Sequence, residues 1–400
     1  MAMQVFFDDI IFRLQQAGGI SRIYAEVLPL LAALDGDLRL TQVSPQPSPA
    51  RLPQHPALTV EHPRLPLGAA RLAMRLPWPV LAELEARSVS ASADAIWHST
   101  YFYAPAGWRG PRVVLVPDLV QELFPDLFNR PWDRLVRLQK RRAILAADHL
   151  LCITHTTRDD VVRVYGVDPA RITIAPLGCD RRFAAVAQRG DEGPVGAEGA
   201  TDTSGTGGTR GAGPSPGGQD PALAGLPERF FLYVGSRAHY KNFLTVLQGF
   251  AAWPGHRAAA IVAVGVPFTD PEWGEIARLG LEGHIRQVDW VDDSALARLY
   301  QAADALVYPS LYEGFGLPLL EAMASGCPII ASRIPSTLEV AGDVPFYFES
   351  RDPGQLAKVF QEAWETGRDA HRIEAGRLRQ ETFSWEATAA AFLEAYRGLS

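Results

Sequence analysis

The chain has 400 residues, 47% of them hydrophobic and 21% charged, with a formal net charge of −7. That length exceeds what one hydrophobic core usually holds, so two domains are expected, and the composition is that of a folded globular protein rather than a disordered or membrane-embedded one. The acidic balance argues against an overall grip on nucleic acid, and three separated cysteines, Cys152, Cys179 and Cys327, offer neither a disulfide framework nor a thiolate metal cage.

In chain order, the apolar run at 5–7 predicts a strand, and the amino terminus reaches Asp8-Asp9 before any run of signal-peptide length. With no long uncharged apolar stretch elsewhere, a cytoplasmic location is expected. Residues 20–34 have helical periodicity. Asp35-Gly36-Asp37 spells the D-x-D of metal-dependent transferases, but it follows that helix directly and reads as a turn, so no metal is assigned to it. Residues 45–79 are proline-rich, with Arg64, Arg71 and Arg75 interrupting an apolar segment. Strands are predicted at 95–98, 113–116, 149–154 and 172–176. Arg134, Arg137 and Arg141 share one helical face beside Lys140 and Arg142. That face suits an anionic lipid surface or a lipid diphosphate, the alternative being a solvated face paired with acids.

Residues 184–226 turn into glycine, threonine, serine and proline and read as a flexible linker. The phosphate-loop look of Gly205-Thr206-Gly207-Gly208 is discounted because no strand precedes it and no amphipathic helix follows. Beyond it, strands are predicted at 229–234, 258–265, 285–291, 305–309 and 328–332, separated by helices centred near Leu247, Leu299, Ala322 and Phe360. A last helix is predicted at 387–399. The alternation gives an α/β fold with two doubly wound, Rossmann-like domains, 1–183 and 227–383. Such sheets bind ligands beyond the carboxyl ends of their strands, which places the chemistry in the cleft between the domains.

Two stretches carry chemistry. In Tyr308 to Cys327 a strand leads through a glycine turn into a helix with Pro318 in its first turn, so backbone amides near Gly316 and Leu317 are left to face an anion. Glu313 and Glu321 flank that phosphate seat and are better suited to sugar hydroxyls than to phosphate; helix-dipole and turn roles are the structural alternatives. The second stretch, Gly235 to Asn242, follows the first strand of the second domain and presents Arg237 and Lys241, cations able to converge on one diphosphate. Lys140, Lys241 and Lys358 are the only lysines in the chain.

These residues resemble family 4 of the retaining, nucleotide-sugar-dependent glycosyltransferases, which have the two-domain GT-B fold. Glu313 and Glu321 match that family's pair of glutamates, and Arg237 with Lys241-Asn242 its basic pair. The resemblance extends through residues 296–304 and 328–340, and in the first half through Gly18-Gly19-Ile20-Ser21-Arg22, residues 94–98 and 172–180. It implies that Arg237 and Lys241 neutralise the donor diphosphate, that Glu321 holds the ribose hydroxyls, and that Glu313 and the amides of Gly314, Phe315, Gly316 and Leu317 contact the transferred sugar. Gly18 and Gly19 would line the opposite wall, Trp290 and Val291 would lie on the donor side, and His98 would sit near the reacting sugar, the alternative being a locally bonded strand-end histidine.

The resemblance further implies a C-terminal helix, 384–400, that crosses back to the first domain, and a front-face transfer with retention needing no cofactor or metal. The chain departs from the pattern at Pro117, where a histidine is expected before Asp118, at Thr154 in place of serine, and at Asp289 in place of glycine. Phe7-Asp8-Asp9 with the following glycine motif resembles mannosyl-type members acting on surface polysaccharides, so GDP-mannose is expected over a UDP-sugar, with a glycan or lipid-linked saccharide as acceptor. A GT-B epimerase or phosphorylase, or a silent nucleotide-sugar-binding scaffold, are the rival readings.

Overall fold

A computed structural model of the chain describes residues 2–15, 18–44, 53–62, 80, 83–84, 86–87, 89, 91–184 and 225–399. The arginines expected at 64, 71 and 75, nearly all of the 184–226 linker, and Gly205 to Gly208 lie outside the described residues.

The first sheet contains β1 (Gln4–Phe7), β2 (Arg39–Val43), β3 (Leu58–Glu61), β4 (Ile96–Ser99), β5 (Arg112–Val116), β6 (His149–Cys152) and β7 (Ile172–Ile174). All are parallel, in the order β3-β2-β1-β4-β5-β6-β7. The second sheet contains β8 (Phe230–Val234), β9 (Ala260–Val264), β10 (Ile285–Val288), β11 (Ala305–Tyr308), β12 (Ile329–Ser332) and β13 (Phe346–Phe348), also parallel, in the order β10-β9-β8-β11-β12-β13. Both are doubly wound, and strand order reverses between β1 and β4 in the first sheet and between β8 and β11 in the second.

Central strands such as β9 and β11 are buried throughout, which is why they read as continuous apolar runs. Three strands gave no such signal. β2 carries Arg39, Thr41 and Gln42; β3 is an edge strand exposed from Thr59 to Glu61; β13 has only three residues.

The Gly19–Leu34 helix buries Ile23, Tyr24, Val27, Leu28 and Leu31, the stripe expected from helical spacing. Against it lies the Trp385–Arg397 helix, begun by the Ser384 side chain, which accepts from the Ala387 amide. Its Thr388 hydroxyl donates to the Pro176 carbonyl at 2.6 Å, and its Phe392 ring packs 6.5 Å from that of Tyr24. The last helix therefore does cross back to the first domain. Its Arg397 pairs at 2.8 Å with Asp35, whose other oxygen accepts from the Asp37 amide, so residues 35–37 form a turn tied to that helix.

Candidate active site

The reversal between β8 and β11 brings the two motif loops side by side. Asn242, at φ +59°, donates its side-chain amide to the Pro309 carbonyl at 2.9 Å and the Ser350 carbonyl at 2.5 Å, and the Leu311 amide donates to Tyr240 at 2.8 Å. These bonds fasten the 235–242 loop to the 309–316 loop and place Lys241 Nζ 2.6 Å from Glu313 Oε1. The Ser310 hydroxyl donates to the same oxygen at 2.5 Å. Burial opposes the charge on Lys241, but Glu313 outweighs it and raises the pKa, so the ammonium persists.

Arg237 is not joined to Lys241. Its Nε lies 2.7 Å from Glu272, its Nη2 donates to the Pro267 carbonyl, and its guanidinium sits 4.0 Å from the centre of the Phe268 ring. The side chain is only 2% exposed, and Nη1 is buried with no partner among the described residues. The two expected diphosphate ligands thus share one strand end but are held by different carboxylates.

The glycine turn is built as its sequence demands. Gly316 has φ +117° and precedes the Leu317–Ala324 helix, with Pro318 in the first turn. Phe315 is buried edge-on against Phe383 and anchors the turn from behind. Glu321 has a different set of partners from Glu313. It is 7% exposed, accepts from Tyr300 Oη at 3.0 Å, and has Arg22 Nη1 3.3 Å from Oε1. Burial pushes its pKa up to about 7 against the pull of Arg22 and Tyr300.

The opposing wall comes from the first domain. A Cβ on Gly19 would lie 3.9 Å from Leu317 Cδ1, so this glycine does face the helix start across the cleft, with Gly18 capping its own helix beside it. A Cβ on Gly314 would strike the Pro117 carbonyl, and Asp118 Cβ is next nearest at 3.1 Å. Thr154 Oγ1 donates to the Gly314 carbonyl at 2.8 Å, and Tyr312 Oη donates to Asp160 at 2.9 Å while accepting from the Leu119 amide. Glu339 accepts from the His155 and Thr156 amides at 2.6 and 2.9 Å, an anion from one domain seated on the start of a helix in the other.

Trp290 is 60% exposed on the loop after β10, with Cζ2 3.6 Å from the place a Cβ on Gly265 would occupy; Val291 is half-buried beside it.

His98 is corrected. It lies in the core of the first domain, fully buried, with Tyr24 Oη 3.2 Å from Nε2 and Tyr396 Oη 2.5 Å from Nδ1, and its ring packs between Phe7 and Phe392. Burial lowers its pKa to about 3. It lies within β4, buried like the rest of that strand, so the locally bonded histidine is the one observed. Lys140 is likewise not part of an outer basic face: it is buried, 3.0 Å from Glu122 and 3.7 Å from Asp118.

Sequence reasoning gave no role to Arg22, Asp118, Thr154, Glu272 or Glu339. Each acts through a partner far away in the chain, and only Glu272 fell outside the stretches that drew notice.

Residues 17–183 match the family model described as Glycosyltransferase Family 4, and residues 221–379 match Glycosyl transferases group 1. O-antigen chain mannosyltransferase B of Escherichia coli is 27% identical over 314 residues, which cover 76% of this chain and 74% of that protein. The MMP alpha-(1->4)-mannosyltransferase of Mycolicibacterium hassiacum is 26% identical over 273 residues, 67% of this chain and 58% of that protein. Among solved structures, sucrose-phosphate synthase from Thermosynechococcus elongatus is similar at TM-score 0.69 and 19% identity, covering 99% of both chains, which is a likeness of fold.

Proposed function

We propose that this chain, which belongs to the family 4 glycosyltransferases, is a retaining, metal-independent hexosyltransferase that moves mannose from GDP-mannose to a glycan or lipid-linked saccharide in surface polysaccharide synthesis. The observation that carries the reading is the Lys241–Glu313 pair at the β8/β11 switch point, beside a glycine turn that opens a helix. Two mannosyltransferases among the relatives support the choice of sugar.

Transfer requires the nucleoside diphosphate to leave as positive charge builds on the sugar ring. Preorganised donors aimed at the leaving group are the main means of lowering that barrier. Lys241, the amides at Gly316 and Leu317, and Arg237 through its unpartnered Nη1 would supply them, and no metal or other cofactor is assigned. Glu313 would take hydroxyls of the transferred sugar, Glu321 those of the ribose, and Trp290 would wall the base. The acceptor would approach over the first domain, along Pro117 and Asp118. Among the described residues no helix is long and apolar enough to cross a membrane. A cytoplasmic enzyme touching the membrane through the Pro131–Ala146 helix fits the exposed Arg134 and Arg141 with Trp132, Leu138 and Leu145.

Release of nucleoside diphosphate from GDP-mannose, UDP-glucose and ADP-glucose, each with an oligosaccharide acceptor, tests the reading, with anomeric configuration of the product followed by NMR. Turnover of GDP-mannose to an α-glycoside is expected. Preference for another donor overturns the sugar; inversion overturns the stereochemistry; a free sugar epimer or no transfer with any donor overturns the transferase.

A further inference from the structure

Arg22 enters the cleft from the first turn of the Gly19–Leu34 helix, on the first domain. Its Nη2 lies 3.1 Å from Asp293 and 3.4 Å from Asp180, while Nη1 lies 3.3 Å from Glu321. Asp180 belongs to its own domain; Asp293 and Glu321 belong to the other. Arg182 reinforces the cluster, 2.6 Å from Asp180 and 2.9 Å from Asp293. Asp180 and Asp293 therefore have two cations between them, whereas Glu321 has only Arg22 as an ion-pair partner among the described residues.

We infer that Arg22 is a positioning residue that reaches across the cleft to hold Glu321 as a hydroxyl-accepting carboxylate when the domains are closed. This rests on the proposed role of Glu321 at the donor ribose. A carboxylate accepts from two hydroxyls at once, whereas a carboxylic acid must spend one oxygen as a donor. Glu321 is itself buried, on a helix buried from Leu319 to Ala324, so an unassisted charge there is costly. The groups facing it are Arg22 from the Gly19–Leu34 helix, Cys179 and Asp180 from the segment after β7, and Asp293 and Tyr300 from the Asp293–Ala302 helix; Glu26 and Arg182 join the same cluster through Asp180 and Asp293. Asp180 and Asp293 push Glu321 towards its neutral form, burial keeps the Cys179 thiol protonated, and Tyr300 donates a hydrogen bond. Arg22 is the cation that opposes them. Because Arg22 is carried by the other domain, the ion pair on Glu321 is made only when the domains meet. Closure thereby completes the setting of the carboxylate.

The test is calorimetric titration of GDP and UDP into the full chain from about pH 5.5 to about pH 9, comparing proteins at each pH so that the ionisation of the ligand cancels. Wild-type affinity should fall as pH drops through about 7. Arg22→Met should move that fall to higher pH, giving roughly ten-fold weaker binding at neutral pH for each pH unit moved and recovery near pH 9. Arg22→Lys, which keeps a charge without the fork, should move it less and serves if the methionine variant does not fold. Glu321→Gln should bind weakly with no fall near pH 7. A uniform loss at all pH values, or none, in Arg22→Met beside a flat Glu321→Gln overturns the inference alone. Wild-type binding by Glu321→Gln, or no binding of either nucleotide by the wild type, overturns the ribose reading and the inference with it.

Discussion

The Thr154 hydroxyl of the first domain donates to the Gly314 carbonyl of the second at 2.8 Å. The glycine turn beside the Lys241–Glu313 pair is thus held partly by the opposite wall. Thr154 also bonds Thr157, whose hydroxyl is 3.4 Å from the same carbonyl, so a small network closes over the turn. Replacing Thr154 by valine keeps the shape and removes the donor, at a cost of about 1–3 kcal/mol. A rise of at least several-fold in donor KM is expected for Thr154→Val and little change for Thr154→Ser. Equal KM values in steady-state kinetics would mean that the bond contributes nothing to the bound state.

Gly314→Ala probes the same contact from the other side. The added Cβ would meet backbone, the Pro117 carbonyl, and cannot swing aside as a side chain could. The domains must stand further apart, so turnover should collapse while each domain keeps its fold. Small-angle scattering should report a more open molecule; an unchanged scattering curve with normal turnover would contradict the close approach.

Lys241→Ala and Arg237→Ala should each lower kcat by roughly 10²- to 10³-fold, the loss typical of one charge-stabilising donor. Glu313→Gln should raise the KM for the sugar nucleotide and leave the affinity for free nucleoside diphosphate near wild type. Wild-type turnover in a folded Lys241 variant would remove that residue from the leaving-group role.

His98 makes an acid-stability prediction. Its folded pKa, about 3, lies below the ordinary 6.5, so between those values the unfolded chain binds more protons than the folded one. Its contribution is complete above about pH 6.5 and falls as pH drops; at pH 5 the loss is about 2 kcal/mol. Asp8, pushed up to about 6 by burial, works in the opposite sense in wild type and variant alike. His98→Gln should therefore be less stable at neutral pH but lose less on going to pH 5. Denaturation at the two pH values checks it; identical losses would mean that the imidazole is not held neutral.

The Pro131–Ala146 helix exposes Trp132, Leu138 and Leu145 with Arg134 and Arg141, whereas Arg137 is half-buried and donates to the Gln121 carbonyl. Flotation with vesicles containing anionic lipid should carry the protein upward at low salt and release it at high salt. Arg134→Glu with Arg141→Glu should abolish flotation without changing turnover on a soluble acceptor. Failure of the wild type to float would end the membrane assignment.

Much of this was legible in the sequence because it depends on near neighbours. The β11 strand, the Gly316 turn and Pro318 at the helix start are all set within a few residues, and so are the positions of Glu313 and Glu321. The orientation of His98 was not legible, because its partners Tyr24 and Tyr396 come from opposite ends of the chain and spacing records no such meeting. Arg237 shows the same limit. Its four-residue offset from Lys241 suggested convergence, but Glu272 and Phe268 hold the guanidinium elsewhere. Lys140 reads as a cation beside a basic helical face, but Glu122 and Asp118, 18 and 22 residues away, hold it inside.

The Trp385–Arg397 helix supplies Phe392 and Tyr396 to the pocket around His98, and Gly178 lies so close to the Trp385 backbone that a Cβ there would collide with it. During synthesis this helix emerges only after the whole second domain. The first domain, though made before the second, keeps Tyr24 and His98 without these partners until the second domain has been translated. Its maturation is thus timed by its neighbour, and a ribosome stalled anywhere in the second half leaves a nascent chain with a sticky, unfinished core.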